Sequence, residues 1–352
     1  MIKRNMSSIS ERVCAKQNEN TECEPFLLGP VGKDYLWGGE RLIREFGKDL
    51  GVSPLAECWE CSVHPAGVSL VASGPHCGKT LDRLLSEYPD IVGTHPQKTG
   101  GVGKLPILIK LIDADQSASI QVHPDDAYAA KFEQGSNGKA EMWYVLDADE
   151  GAELVYGFYQ DMDKEVVRRG IADGTIEKYL RRVKVKKDDV FFIEPGCVHA
   201  IGKGILLAEI QQSSDITYRM YDYNRRDKNG QMRELHVEKA LDVVNLKAAK
   251  EPRQPMRVLQ YSPGCATELL CRCKYFQVER LLVNTFAADY GMRLNAQEET
   301  FLVLVCVDGS GYMQSVKGTD KIKIRKGDCI FVPAGKGCYQ ICGKMQFLKV
   351  RC

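Results

Sequence analysis

Residues 105–146 read LPILIKLIDADQSASIQVHPDDAYAAKFEQGSNGKAEMWYVL, and the alternation of apolar and polar positions in that stretch decides the fold. Gln121 and His123 stand two residues apart in an apolar-alternating run, and a strand with a period of two turns both side chains to one face. Glu141 opens a second strand-like run, EMWYVL, and the later segment DDVFFIEPGCVHAIGKG at 188–204 places His199 just after a Pro-Gly turn. Two imidazoles, a carboxylate and an amide oxygen make a coordination shell for a divalent metal, with positions left over for water or substrate.

Working outward, 352 residues suffice for two domains, and an apolar fraction of 44% can fill large cores. Lys and Arg total 48 against 47 acidic residues, a balance that points away from nucleic acid and from electrostatic membrane binding while leaving room for a small, local anion site. No stretch approaches the ~20 apolar residues of a spanning helix, and Met1 to Asn20 lacks the apolar core of a secretory signal, so the expected location is the cytoplasm. The fourteen cysteines are then expected to be reduced thiols. Cys58-x-x-Cys61 and Cys271-x-Cys273 have no partner pair at zinc-ribbon spacing and are read as ordinary thiols.

Residues 1–22 are polar and aperiodic and are expected to form a flexible tail, residues 1–23 of the chain at most. In EPFLLGPVGKDYLWGGERLIREFG, from Glu24, the pair Gly38-Gly39 favours a turn and close backbone approach, with Trp37 as a core aromatic beside it. Residues 55–72, LAECWECSVHPAGVSLVA, read as two strands joined by the His64-Pro65-Ala66-Gly67 turn, with His64 a turn residue and not a ligand. TLDRLLSEY at 80–88 is an amphipathic helix with Leu81, Leu84 and Leu85 on one face, flanked by His76 and His95, to which no role falls. Pro124-Asp125-Asp126 starts a short helix, with Pro124 suited to its first turn. Residues 163–183 suggest two short helices separated by Ala172-Asp173-Gly174, a charge-rich covering layer between strands, and Leu235 to Val244 another helix. The Arg- and Tyr-rich run after Ile210 carries Asp215, Asp222 and Asp227 as well, which suits a local anionic ligand better than nucleic acid. Residues 247–254, with Pro252 and Pro255, mark the domain boundary, and beyond it short alternating runs with Gly-rich turns announce an antiparallel sandwich.

One internal echo organises the two halves. KKDDVFFIEPGCVHAI at 186–201 aligns without a gap to the segment beginning RKGDCIFVPAGKGCYQ at 325, pairing Asp189 with Asp328, Gly196 with Gly335 and His199 with Cys338. If the chain is two related barrels, the first keeps the ligand and the second has lost it.

WGG at 37–39, LPILIKLIDADQSASIQVHPDD at 105–126, KAEMWYVL at 139–146, PGCVHAIGKG at 195–204 and EIQQSSDITYRMYDYNR at 209–225 resemble, in order and spacing, the type I mannose-6-phosphate isomerases, zinc-dependent cupin enzymes, and most of all their shorter bacterial members. The resemblance runs from about residue 24 to the end of the sequence. It implies a mainly β protein of two jelly-roll (cupin) barrels with short helical insertions: a metal-binding catalytic domain over 24–246 and a degenerate, metal-free cupin domain over 255–352. It also implies one Zn²⁺ per chain on Gln121, His123, Glu141 and His199, an active-site arginine at Arg219, and pocket residues Lys110, Ser119, Lys139 and Glu209. Longer members carry a His immediately before the active-site lysine where this chain has Gly138, so any ring-opening role of that His passes to another group or to water.

The implied reaction interconverts mannose 6-phosphate and fructose 6-phosphate through an enediol. Arg219 would stabilise the oxyanion. Either Lys139 or Glu209 would carry the proton. Lys110 and Ser119 are candidates for the phosphate, although Ser119 serves equally as a locally bonded strand hydroxyl. The competing readings are a cupin isomerase for another sugar phosphate and a catalytically silent, sugar-binding regulatory cupin.

Overall fold

The computed structural model describes residues 23–100, 103–227, 229–255, 257–286 and 291–352; the expected tail at 1–22 lies outside them. The molecule is mainly β, with 41% strand against 15% helix. A six-stranded sheet has the order Val190–Ile193, Glu141–Ala148, Ile205–Gln212, Ile107–Ala114, Glu57–Cys61, Val31–Lys33, every pairing antiparallel. Ile107–Ala114 and Ile205–Gln212 are buried at every position, as central strands covered on both faces must be. A five-stranded sheet, Tyr218–Tyr221, Ile120–Val122, His199–Ala200, Glu153–Phe158, Leu180–Lys184, faces it. Trp143, Val145, Leu154, Phe191 and Leu207 fill one end of the space between them.

The same order recurs in the second half. Cys329–Val332, Leu302–Ser315, Gly337–Arg351, Gln277–Asn284, Cys265–Arg272 and Gln260–Ser262 follow one another as the six strands of the first sheet do. In the first half the chain breaks between Ala148 and Glu153 and between Ala200 and Ile205 as it passes from one sheet to the other. In the second half, Leu302–Ser315 and Gly337–Arg351 run through without interruption, and all eight strands there join, with two from the amino-terminal half, into one ten-stranded sheet.

The echo at Asp189 and Asp328 is structural. Asp189 accepts the backbone N–H of Lys186 at 3.1 Å and Asp328 that of Arg325 at 2.9 Å, each after a residue with positive φ, Asp188 at 72° and Gly327 at 92°. Past Gly335 the gap-free alignment slips by one residue. His199 lies opposite Gln121 and Tyr156, and the matching partners in the second half, Leu294 and Ser315, lie opposite Tyr339. Tyr339 and Leu294 are buried while Asn295, which pairs with Cys338, is exposed, so Tyr339 and not Cys338 occupies the place of His199.

Phe26–Gly29 and Leu70–Val71 belong to the ten-stranded sheet: Phe26 pairs with Phe331, Leu28 with Val71. The turn at His64–Gly67 forms as expected, with Gly67 N–H donating to His64 O at 2.8 Å, but the strand after it leaves to join the other half. Cys23, at the start of the described chain, is buried in the core between the halves. The helix Leu81–Glu87 buries Leu81, Leu84 and Leu85 completely, each worth ~1.5–3 kcal/mol. Gly38 bridges to Ala114, and a Cβ there would stand 2.6 Å from the Ala56 backbone, which explains the glycine beside Trp37.

Asp126–Phe132 is helical, but its cap is Asp125, whose carboxylate accepts the Tyr128 N–H at 2.8 Å; Pro124 therefore precedes the cap instead of entering the first turn. Of the two helices expected over 163–183, Lys164–Ala172 is regular, Ile176–Tyr179 is a 3₁₀ turn and Leu180–Lys184 is a strand. Lys164–Ala172 and Val237–Val243 cover the outer face of the five-stranded sheet through Val167, Ile171, Ala240 and Leu241. No helix among the described residues is long and apolar enough to cross a membrane.

Candidate active site

The two facing sheets of the first half bring together every side chain singled out from the sequence. Lys110 and Glu209 are register partners on neighbouring central strands, and Trp143 lies opposite Glu209 on the next. From the other sheet, Gln121 pairs with His199 on one side and Arg219 on the other. Strand pairing alone thus points residues nearly 100 positions apart into one space.

At its floor, His123, Glu141 and His199 form a fully buried cluster whose ligand atoms lie within 4.8 Å of one another. Glu141 Oε1 is 3.2 Å from His199 Nε2, and Oε2 is 3.5 Å from His123 Nε2. His123 Nδ1 meets the Ile216 carbonyl at 2.8 Å and His199 Nδ1 that of Cys197 at 2.9 Å. A carbonyl can only accept, so each Nδ1 carries the proton and each Nε2 turns a lone pair toward Glu141. This outer hydrogen bond is how metal-binding imidazoles are oriented. Both Glu141 oxygens are buried without a well-directed hydrogen bond. Two inward-facing imidazole nitrogens and a buried carboxylate, with Lys139 and the Gln121 amide as their other polar neighbours, fit a divalent cation. Gln121 Nε2 stands 3.4 Å from His199 Nε2, at the edge of the same cluster, and Gln121 Oε1 accepts from Ser119 Oγ at 3.4 Å.

Above the cluster opens a cavity of about 290 Å³, lined by Lys110, Ser119, Gln121, Lys139, Glu209 and Arg219 among others. Lys139 Nζ lies 2.9 Å from Glu141 Oε2, 3.2 Å from His123 Nε2 and 4.0 Å from Glu209 Oε1. Lys110 Nζ sits between Glu209 Oε1 at 3.0 Å and Glu57 Oε2 at 3.5 Å.

The family description "Phosphomannose isomerase type I, catalytic domain" matches residues 26–158, and "Mannose-6-phosphate isomerase, cupin domain" matches residues 266–352. The chain is 38% identical to the mannose-6-phosphate isomerase ManA of Bacillus subtilis over 91% of its own length and 96% of the relative's. It is 36% identical to the mannose-6-phosphate isomerase of Streptococcus mutans, covering 92% and 97% of the two chains. The chain belongs to the type I phosphomannose isomerases. The crystal structure of the mannose 6-phosphate isomerase from Bacillus subtilis superposes with a TM-score of 0.83 at 34% identity, over 93% of this chain and 99% of that one.

For a type I phosphomannose isomerase the charge states of this cavity matter as much as its shape. Burial holds His199 down to about 4 and His123 well below its usual value, so both imidazoles are neutral and ready to bind a cation. Burial and the neighbouring Glu209 push Glu141 above the carboxylate range. Burial acts to raise Glu209 too, but Lys110, Lys139 and the Trp143 indole, which donates to it at 2.9 Å, outweigh that and hold it as an anion. Burial and then Arg233 lower Arg219, whose Nη1 donates to the Glu234 carbonyl at 2.8 Å while its Nε is buried without a partner.

Three wall residues escape sequence reading. Trp37 is the buried aromatic expected, yet it also lines the cavity. Glu57 was hidden in the apolar alternation of ECWEC, where nothing marks which face meets Lys110. Arg233 carries no spacing signal at all. His64 stays a turn residue, with Nδ1 accepting from Ala66 N–H at 3.2 Å and Nε2 3.3 Å from Asp215. Cys58, Cys61, Cys271 and Cys273 are free thiols, and no cysteine joins a metal-binding group among the described residues.

Proposed function

We propose that the chain interconverts mannose 6-phosphate and fructose 6-phosphate with a single zinc ion held by Gln121, His123, Glu141 and His199. The observation that carries this reading is the buried His/Glu/His cluster with both Nε2 atoms turned toward the Glu141 carboxylate. When bound, the cation supplies Lewis-acid polarisation of the sugar oxygens.

The residues do the remainder. Lys139, beside the cluster, carries the proton between C2 and C1, work worth ~10²- to 10⁴-fold. Glu209 is the poorer proton carrier, because a carboxylate held low by two lysines and an indole is a weak base; its part is to fix the two lysines. Arg219, an unneutralised cation in the wall, stabilises the negative charge that develops on oxygen as the proton leaves carbon. Gly138 stands with its amide on Asp126 at 3.1 Å, so ring opening falls to water or to a group other than a side chain at that position.

We place this chemistry in a cupin barrel over 24–246, with a second, metal-free barrel over 255–352, in a cytoplasmic enzyme whose partner is a small sugar phosphate. Elemental analysis of the purified protein, together with an assay coupled to fructose 6-phosphate formation, tests the reading. One equivalent of zinc and turnover of mannose 6-phosphate are expected. A protein that binds no divalent metal, or a panel of sugar phosphates in which glucose 6-phosphate and not mannose 6-phosphate is consumed, overturns it.

A further inference from the structure

The cavity has a direction. Its floor groups Lys139 and Glu209 are only 4% exposed at the side chain, whereas Arg233 is 24% and Asp215 48% exposed, which marks the mouth. A hexose 6-phosphate whose C1 and C2 reach the floor must therefore leave its phosphate near the mouth. A group suited to receive it needs a cation with donors to spare.

Lys110 does not meet that need. Its charge is already shared between Glu209 and Glu57, and it is buried with them. Lys139 is committed to Glu141 and His123. Arg233 is built differently. Its Nε donates to Asp222 Oδ2 at 2.8 Å and its Nη2 to Asp222 Oδ1 at 2.6 Å, which fixes the guanidinium plane and leaves Nη1 on the edge away from the carboxylate. Asp222 is itself buried and also holds Arg225. Arg225 and Arg233 share that one carboxylate and Arg219 stands near them, so this wall keeps an excess of positive charge that suits a dianion. Asp215, the acidic group at the mouth, faces His64.

We infer that Arg233, clamped by Asp222, receives the phosphate of the substrate at the mouth of the cavity, with Asp222 as a positioning residue; this rests on the isomerase reading for the identity of the ligand. Recognition of this kind fails as affinity and not as chemistry. Arg233→Ala in the metal-loaded enzyme is expected to raise KM for mannose 6-phosphate about 10- to 100-fold, the loss of one or two charge-assisted hydrogen bonds, with kcat changed less than about threefold. Inorganic phosphate, titrated calorimetrically, should weaken by the same factor. Arg233→Lys should recover part of both, and Asp222→Asn should raise KM less than Arg233→Ala does.

Unchanged KM and unchanged phosphate affinity in Arg233→Ala overturn the inference, as does a fall in kcat with KM preserved. If circular dichroism shows that Arg233→Ala fails to fold, Arg233→Lys and Asp222→Asn decide on the same two measurements. Arg233-dependent phosphate binding in a wild-type protein that turns over no mannose 6-phosphate would support an anion site at Arg233 while overturning the isomerase reading.

Discussion

The two halves of the molecule share a strand order but not a chemistry. Register aligns Gln121, Glu141 and His199 with Leu294, Leu302 and Tyr339, and carries His123, two residues past Gln121, onto Ala296. Leu294, Leu302 and Tyr339 all join the apolar core of the second half. The pair Lys110 and Glu209 is opposed by Glu279 and Lys349, the same two charges with their strands exchanged. A sheet sandwich therefore holds its shape whichever strand carries the acid and whether its interior grips a cation or is filled with leucine. What the scaffold requires is alternation; the reaction requires particular atoms.

The sharpest way to break the comparison is to remove a ligand from one half and its counterpart from the other. His199→Ala should abolish both stoichiometric metal and isomerase activity, while Tyr339→Phe leaves both intact; elemental analysis and the coupled assay read the difference. Lys139→Met should keep the metal and lower kcat by ~10²- to 10⁴-fold, and a kcat within twofold of wild type would remove Lys139 from the proton path.

The exchanged charge pairs offer a third contrast. Glu209→Gln takes one carboxylate from the buried Lys110 and Lys139, which keep Glu57 and Glu141, and should cost about 3 kcal/mol in chemical denaturation. Glu279→Gln, in a pair about one-fifth exposed on each side, should cost about 1 kcal/mol. Equal costs would show that the two pairs are equally buried in solution.

Acid should divide the halves more gently. Burial keeps His199 neutral down to about 4, against about 6.5 in an unfolded chain. Between those values only the unfolded chain binds that proton, so the contribution of His199 to the stability of the metal-free protein is fully present above pH 6.5 and falls by roughly 3 kcal/mol as the pH drops to 4, while Glu141, raised to about 7, works in the opposite direction over the same range. Removing the imidazole isolates its share: metal-free His199→Gln should lose less stability than the metal-free wild type between pH 6.5 and 4, read by chemical denaturation at the two pH values.

Much of this was legible in the sequence because the signals were local. A period of two in SASIQVH puts Gln121 and His123 on one face, and Leu81, Leu84 and Leu85 fall on one side of a helix without any tertiary information. The family pattern then grouped His199 and Arg219 with them. The misses have a common cause. Ile176–Tyr179 and Leu180–Lys184 are polar enough to read as helix, and only pairing with Glu153–Phe158 makes the second a strand. Tyr339 replaces Cys338 as the counterpart of His199 because one extra residue after Gly335 resets the pleat, and a gap-free alignment cannot show that. Arg233 reaches the cavity through Asp222, a contact 11 residues back that no periodicity predicts.

The pairing of Phe26 with Phe331 reaches beyond architecture. During synthesis, the first of the described strands to leave the ribosome must wait for almost the whole polypeptide before its partner exists. Until then its row of amide and carbonyl groups, and the apolar side chains of Phe26, Leu27 and Leu28, stand open to any neighbouring chain. A truncation before Cys329 should thus leave a sticky amino-terminal ribbon instead of a self-sufficient catalytic half.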